Sequence, residues 1–356
     1  MLQSAELVGL NPTRTGIQDS LHAYKGFALC GMIGLHTYVW WYSKGIDGQI
    51  ELASPQALIL LNLFLGLMGW LSLSFAFTAG VSYVIWIKSQ QVLLGKWPSP
   101  STTLFRAGIF MGIGFWLNPQ SWYIFQFLGL SVLVTYVVLR LSGFWGVALL
   151  GVLVSGLSDF LRDFTSSWPL SYWKVILIGE NEGRYFWPFF PWFSLFALGV
   201  IVGRIKLSRL NEKPNLISNG MILIGLVLLN SAGYYKNLIP QIDVKNLWGP
   251  AIFQPNTITF YGWSGLILAT YGAFDYMSAS RFRKLTSWAI QMSYSSLLVY
   301  VIHYRVFVKF VFAYKGSGSW IRLMGAILIQ ILIAYLVSAL VFKVIRAKKA
   351  AQVTSS

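Results

Sequence analysis

The sequence predicts an all-α, polytopic membrane helix bundle of about ten transmembrane helices with both termini cytoplasmic. Three observations carry this expectation. Of 356 residues, 56% are hydrophobic and only 11% charged, whereas a soluble domain carries about 25% charged residues. The apolar residues gather into segments long enough, in most cases, to cross a hydrocarbon layer roughly 30 Å thick. The basic residues between those segments are split unevenly over the two faces, in the pattern that sets orientation.

The first span, Tyr24–Ser43, is almost unbroken apolar sequence with His36 deep inside it. Counted from Lys25 at about 1.5 Å per residue, His36 lies on the order of 16 Å into the layer. An ionisable group at that depth is a candidate for function. On the residues alone two readings stay open, a reactive imidazole and one hydrogen-bonded within a helix bundle. Nine further apolar segments cover 57–87, 102–117, 122–141, 143–161, 187–205, 216–235, 258–276, 288–312 and 320–344. Those starting at Thr102 and Ile258 are short, and 288–312 is long enough to tilt or break. The N-terminus and the even-numbered connections hold 17 Lys and Arg against 10 opposite, while acids run four against seven. This bias puts both termini inside.

Three regions follow: a cytoplasmic segment 1–23, a single transmembrane domain 24–344 and a cytoplasmic tail 345–356. The first 23 residues are mostly polar and no small-residue cleavage signal follows the first span, so that helix is expected to be retained. The longest connections, 162–186 and 236–257, fall on the outer face. They carry Trp168, Trp173, Glu180, Glu182 and Arg184, then Asp243 and Trp248. Their tryptophans suit either stacking on a sugar or an interfacial aromatic belt.

Composition also excludes. The net charge of +16 is scattered between apolar spans, which fits topology and anionic lipid and argues against nucleic acid as a partner. Cys30 is the only cysteine, so no intrachain disulfide forms. His22, His36 and His303 are the only histidines, too few among eleven acids for a convincing metal centre.

Five stretches carry a resemblance. They are Lys25-Gly26 with Ala28, Met32 and His36; the aromatic run Phe75-Ala-Phe-Thr-Ala-Gly80-Val-Ser82; and the turn Asn118-Pro119. Tyr185-Phe-Trp-Pro188-Phe-Phe-Pro191-Trp192 then leads to Gly199, Gly203 and Arg204, and Met292-Ser-Tyr-Ser-Ser296-Leu-Leu-Val-Tyr300-Val-Ile-His303 closes the series. Pro suits the first turn of a helix, and Gly199 and Gly203 make a small-xxx-small packing face. In this order the stretches resemble the transmembrane acyltransferase superfamily, most closely its heparan-α-glucosaminide N-acetyltransferase-like bacterial branch. Relatives carry Arg where this chain has Lys25. The region 44–56 offers Asp47 and Glu51 but no His, so heparan is not inferred as the acceptor.

The resemblance implies an enzyme that moves an acyl group, expected to be acetyl, from cytoplasmic acyl-CoA to a sugar or glycan acceptor on the other side. It implies His36 as general base or acyl carrier, and His303 as a second catalytic residue. Lys25, Arg106 and Arg204 are the expected contacts to CoA phosphates, with no metal involved. Membrane lipid is the other partner, a homo-oligomer is compatible with the sequence, and the location is the cell (inner) membrane if the chain is bacterial. A secondary transporter is the first alternative, with Asp159 its best ion-coupling acid. A non-catalytic membrane subunit is the second. The topology has a direct test: reporter fusions at Ser171 and Lys348 are expected on opposite faces, and the same face for both contradicts it.

Overall fold

The computed structural model describes residues 12–42, 55–119, 122–168, 172–179, 187–208, 214–234, 255–279, 283–309 and 320–354. Asp47, Glu51, Glu180, Glu182, Arg184, Asp243 and Trp248 lie outside the described residues. Among the described residues the chain is helical apart from short connections, without a β-strand. The helices are α1 (Pro12–Tyr42), α2 (Pro55–Leu94), α3 (Pro100–Leu117), α4 (Ile124–Phe164), α5 (Tyr172–Leu177) and α6 (Phe189–Ser208). They continue as α7 (Pro214–Tyr234), α8 (Thr257–Ala279), α9 (Arg283–Ser293), α10 (Ser296–Ile302) and α11 (Trp320–Thr354).

Four helical stretches among the described residues are long and apolar enough to cross a membrane: Gly69–Leu94, Ile124–Phe164, Phe189–Ser208 and Ile321–Val344. Large apolar side chains stand exposed on them, with Trp145 87% and Ile321 80% accessible. Such surface calls for lipid rather than water. The chain divides into two compact units. One comprises 1–17 and 76–273, the other 18–75 and 274–356.

In the first unit, α3 and α4 run antiparallel through the turn at Asn118 and Pro119. Gly114 packs on Gln126, and Gly129 packs on Met111 and the Ala107 carbonyl. Asn118 closes α3 by donating its backbone N–H to the Gly114 carbonyl, while its amide donates to the Tyr123 hydroxyl at 3.2 Å. The 41 residues of α4 hold two predicted segments, 122–141 and 143–161, as two helical runs that meet at Gly143. Gly143 breaks it with φ of 68°, a left-handed conformation that glycine adopts without a Cβ clash. Unbroken, a helix of that length would run about 60 Å, twice the hydrocarbon thickness.

Helix α6 begins as the Pro-Trp pair predicts. Phe190 is non-helical (φ −92°, ψ 124°), so Pro191 stands in the first regular turn. Gly80, Gly199 and Gly203 let α2 and α6 meet backbone to backbone. A Cβ on Gly199 would overlap the Phe77 carbonyl oxygen, one on Gly80 would overlap that of Phe196, and one on Gly203 would lie 3.2 Å from the Val81 Cα. Lipid supplies no hydrophobic drive between helices, so close packing of this kind holds them together.

Asp159 serves structure. Its Oδ2 accepts the Thr257 backbone N–H at 2.9 Å, capping α8, and its Oδ1 sits 3.4 Å from Arg162. The acid best suited to ion coupling is thus engaged as a helix cap.

The glycine contact generates a prediction. Gly199→Ala forces α2 and α6 apart and is expected to cost about 1–3 kcal/mol, the range for overpacking. Gly112→Ala, where nothing lies within 4 Å, is the control. Thermal unfolding in detergent should show a clearly lower midpoint for the first variant only. Equal midpoints would contradict the packing.

Candidate functional site

The site is built within the second unit, from α1, α10 and α11. One stripe of α1, Gly26, Cys30, Ile33 and Thr37, recurs at helical spacing and faces its partners there. At Gly26 a Cβ would overlap the Ala289 carbonyl of α9, so α1 and α9 touch through their backbones. One turn on, the Cys30 thiol lies 4.0 Å from the Met292 sulfur. Ile33 lines a small cavity with Val299, His303 and Gln330. Thr37, fully buried, accepts a hydrogen bond from the Gln330 amide at 2.9 Å.

This docking sets His36 and Trp40, one turn apart on an adjacent line of α1, against the start of the π-helical turn His303–Phe307 that follows α10. A π turn widens the helix locally and recurs at functional sites. The His36 and His303 rings stack at 5.6 Å between centroids and 18° between planes. Trp40 stacks on His303 at 4.8 Å and lies 5.3 Å from His36. Tyr300 meets the His36 ring edge-on at 6.2 Å, and Tyr304 meets Trp40 at 5.8 Å. His36 is half-buried, whereas His303 is only 1% exposed. The His303 Nδ1 lies 3.0 Å from the Gln330 Oε1, while its Nε2 is buried without a hydrogen-bond partner among the described residues.

Two histidines far apart in the sequence are therefore brought together. The basic residues expected to meet CoA are distributed differently. Lys25 is half-buried in the second unit, beside the Gly26 contact. Arg106 and Arg204 belong to the first unit. The Arg106 guanidinium lies 4.8 Å over the Trp86 ring, with its Nε unpartnered among the described residues. Arg204 is exposed and lies 4.9 Å over Phe144, while Lys206, two residues on, is buried and sits 4.4 Å over the Tyr271 ring. Among the described residues no group of three His, Cys, Asp or Glu could hold a metal ion.

Sequence reasoning missed Trp40, Thr37 and Gln330. Trp40 follows His36 by one helical turn, the spacing that places two side chains on one face. Gln330 is a lone amide inside the apolar run of the last helix, and polar side chains there seek partners on neighbouring helices.

Four helical stretches of membrane-crossing length and apolarity among the described residues define an integral-membrane protein. The family model for heparan-alpha-glucosaminide N-acetyltransferase, catalytic, matches residues 18–233, well over half of the chain, and the chain belongs to that family. The match includes Lys25, His36, Arg106 and Arg204 and stops short of His303 and Gln330. Comparison with curated proteins gives no match.

Proposed function

We propose that the chain is an integral-membrane acyltransferase that passes an acetyl group from cytoplasmic acetyl-CoA to a sugar or glycan acceptor on the opposite face. The observation that carries this reading is the stacking of His36 on His303 in a family of N-acetyltransferases. Acyl transfer from a thioester needs an acceptor stripped of its proton, an acyl carbon held beside it and a protonated leaving thiol. Two imidazoles side by side supply proton acceptance and return, with His36 as general base or as the transient acyl carrier.

The proposed bundle has about ten spans with both termini cytoplasmic. The uneven loop charges and the break of α4 at Gly143 support that count. On this topology Lys25, Arg106 and Arg204 lie toward the cytoplasmic ends of their helices, where CoA phosphates would arrive. Nothing in the chemistry requires a metal. The single transmembrane domain, 24–344, would sit in the cell membrane. The helix-capping role of Asp159 removes the main support for an ion-coupled transporter.

The test is thiol release from acetyl-CoA by purified protein, with amino sugars and glycan hydroxyls as acceptors. His36→Ala and His36→Gln are both expected to lose about 10²–10⁴-fold, the usual contribution of a general base. Gln keeps hydrogen bonding but neither takes the proton nor carries the acyl group. A parent enzyme that turns over while His36→Gln retains more than about a tenth of its rate would reduce His36 to structure.

A further inference from the structure

The hydrogen bonds of His303 fix more than its position. Gln330, 3% exposed, directs its amide nitrogen to the Thr37 hydroxyl at 2.9 Å and its carbonyl oxygen to the His303 Nδ1 at 3.0 Å. An amide oxygen only accepts, so the hydrogen of a neutral His303 ring resides on Nδ1. The Nε2 then carries a bare lone pair. That atom is buried and unpartnered among the described residues, beside the His36 ring. Trp40 stacked at 4.8 Å restrains the ring on one face, and the π turn at His303 sets its place on the helix.

We infer that Gln330 is a positioning residue, held by Thr37, that keeps His303 in the tautomer whose Nε2 takes the proton of the acceptor, which leaves His36 the role of acyl carrier. This rests on the acyl-transfer reading above and divides the labour within the pair. The acceptor O–H or N–H gives its proton to Nε2 as its oxygen or nitrogen bonds to the acyl carbon. His36 has by then taken the acyl group from the thioester, its ring proton going to the departing thiolate, and the bond from the acyl carbon to the His36 nitrogen now breaks. The leaving atom then receives the proton from Nε2, so His303 ends as it began. During the step the imidazolium Nδ1–H stays bonded to the Gln330 oxygen, as the third member of a catalytic triad steadies its histidine.

Two substitutions and two readouts test this. Gln330→Leu keeps the volume and removes the acceptor, and is expected to lower kcat about 10- to 100-fold, the scale of losing a partner behind a reactive histidine. The KM for acetyl-CoA should stay near the parent value. Gln330→Glu restores an acceptor for Nδ1–H and should recover most of the rate, which a purely space-filling role would not predict. Should Gln330→Leu fail to fold, Gln330→Glu and the parent still decide the matter. Independently of turnover, ¹⁵N spectra of histidine-labelled protein should show His303 protonated at Nδ1 and bare at Nε2 in the parent, with that preference lost in Gln330→Leu. A parent with His303 protonated at Nε2, or a Gln330→Leu enzyme with unchanged kcat, overturns the inference. A parent showing the Nδ1–H tautomer but no acyl transfer to any acceptor would instead overturn the function, and the role of His303 with it.

Discussion

A polar side chain in a hydrocarbon layer finds its partner on a neighbouring helix or stays unpaired at a cost of several kcal/mol. That constraint organises the second unit. Thr37 of α1, Gln330 of α11 and His303 after α10 are joined by two hydrogen bonds, so three helices are registered by three buried polar groups. The Ser295 and Ser338 hydroxyls join the α10 entry to α11, and the His22 ring meets the Ser293 hydroxyl at 2.6 Å where α1 begins to pack on α9. Each contact is modest in energy, since such bonds in membranes average well under 2 kcal/mol. Their value lies in register: displacing one helix by a turn would leave several buried groups unpaired at once.

Glycine supplies the complementary device. Gly26 brings α1 onto the backbone of α9, and the stripe through Cys30, Ile33 and Thr37 then falls against α9–α11. The Lys25-Gly26 pair is therefore mechanically connected to His36, although more than two helical turns separate them. In the first unit the same device operates between α2 and α6 at Gly80, Gly199 and Gly203. A side chain at any tight position would push apart the helices whose spacing the local side chains depend on.

Much of the fold was legible because membrane helices announce themselves by length and hydropathy. Where the predicted apolar segments fall on described residues they are very largely helical, but α1 begins at Pro12 rather than 24 and α11 runs to Thr354 rather than 344. For 288–312, long enough to tilt or break, the structure shows a break at Tyr294 and Ser295, and a π turn follows at His303. The separation of 122–141 from 143–161 was legible too, since the two helical runs of α4 meet at the non-helical Gly143. Within the site, His36 and His303 stood out as ionisable groups in apolar sequence. Gln330 and Thr37 did not, since an uncharged polar residue in a span is common and its role depends on what faces it across the helix interface. Arg204 and Lys206 show the same limit: both end α6 as basic residues, and only packing reveals that Lys206 is the buried one.

The central claim is that His36 and His303 act as one unit, and a double-mutant cycle measures that directly. Rates of thiol release from acetyl-CoA would be compared for His36→Gln, His303→Gln and the double variant. Residues acting as a unit are strongly non-additive. Each single substitution is therefore expected to cost nearly the full effect, with the double variant close to the slower single one. Losses that multiply independently, or a His303→Gln enzyme as fast as the parent, would contradict the account.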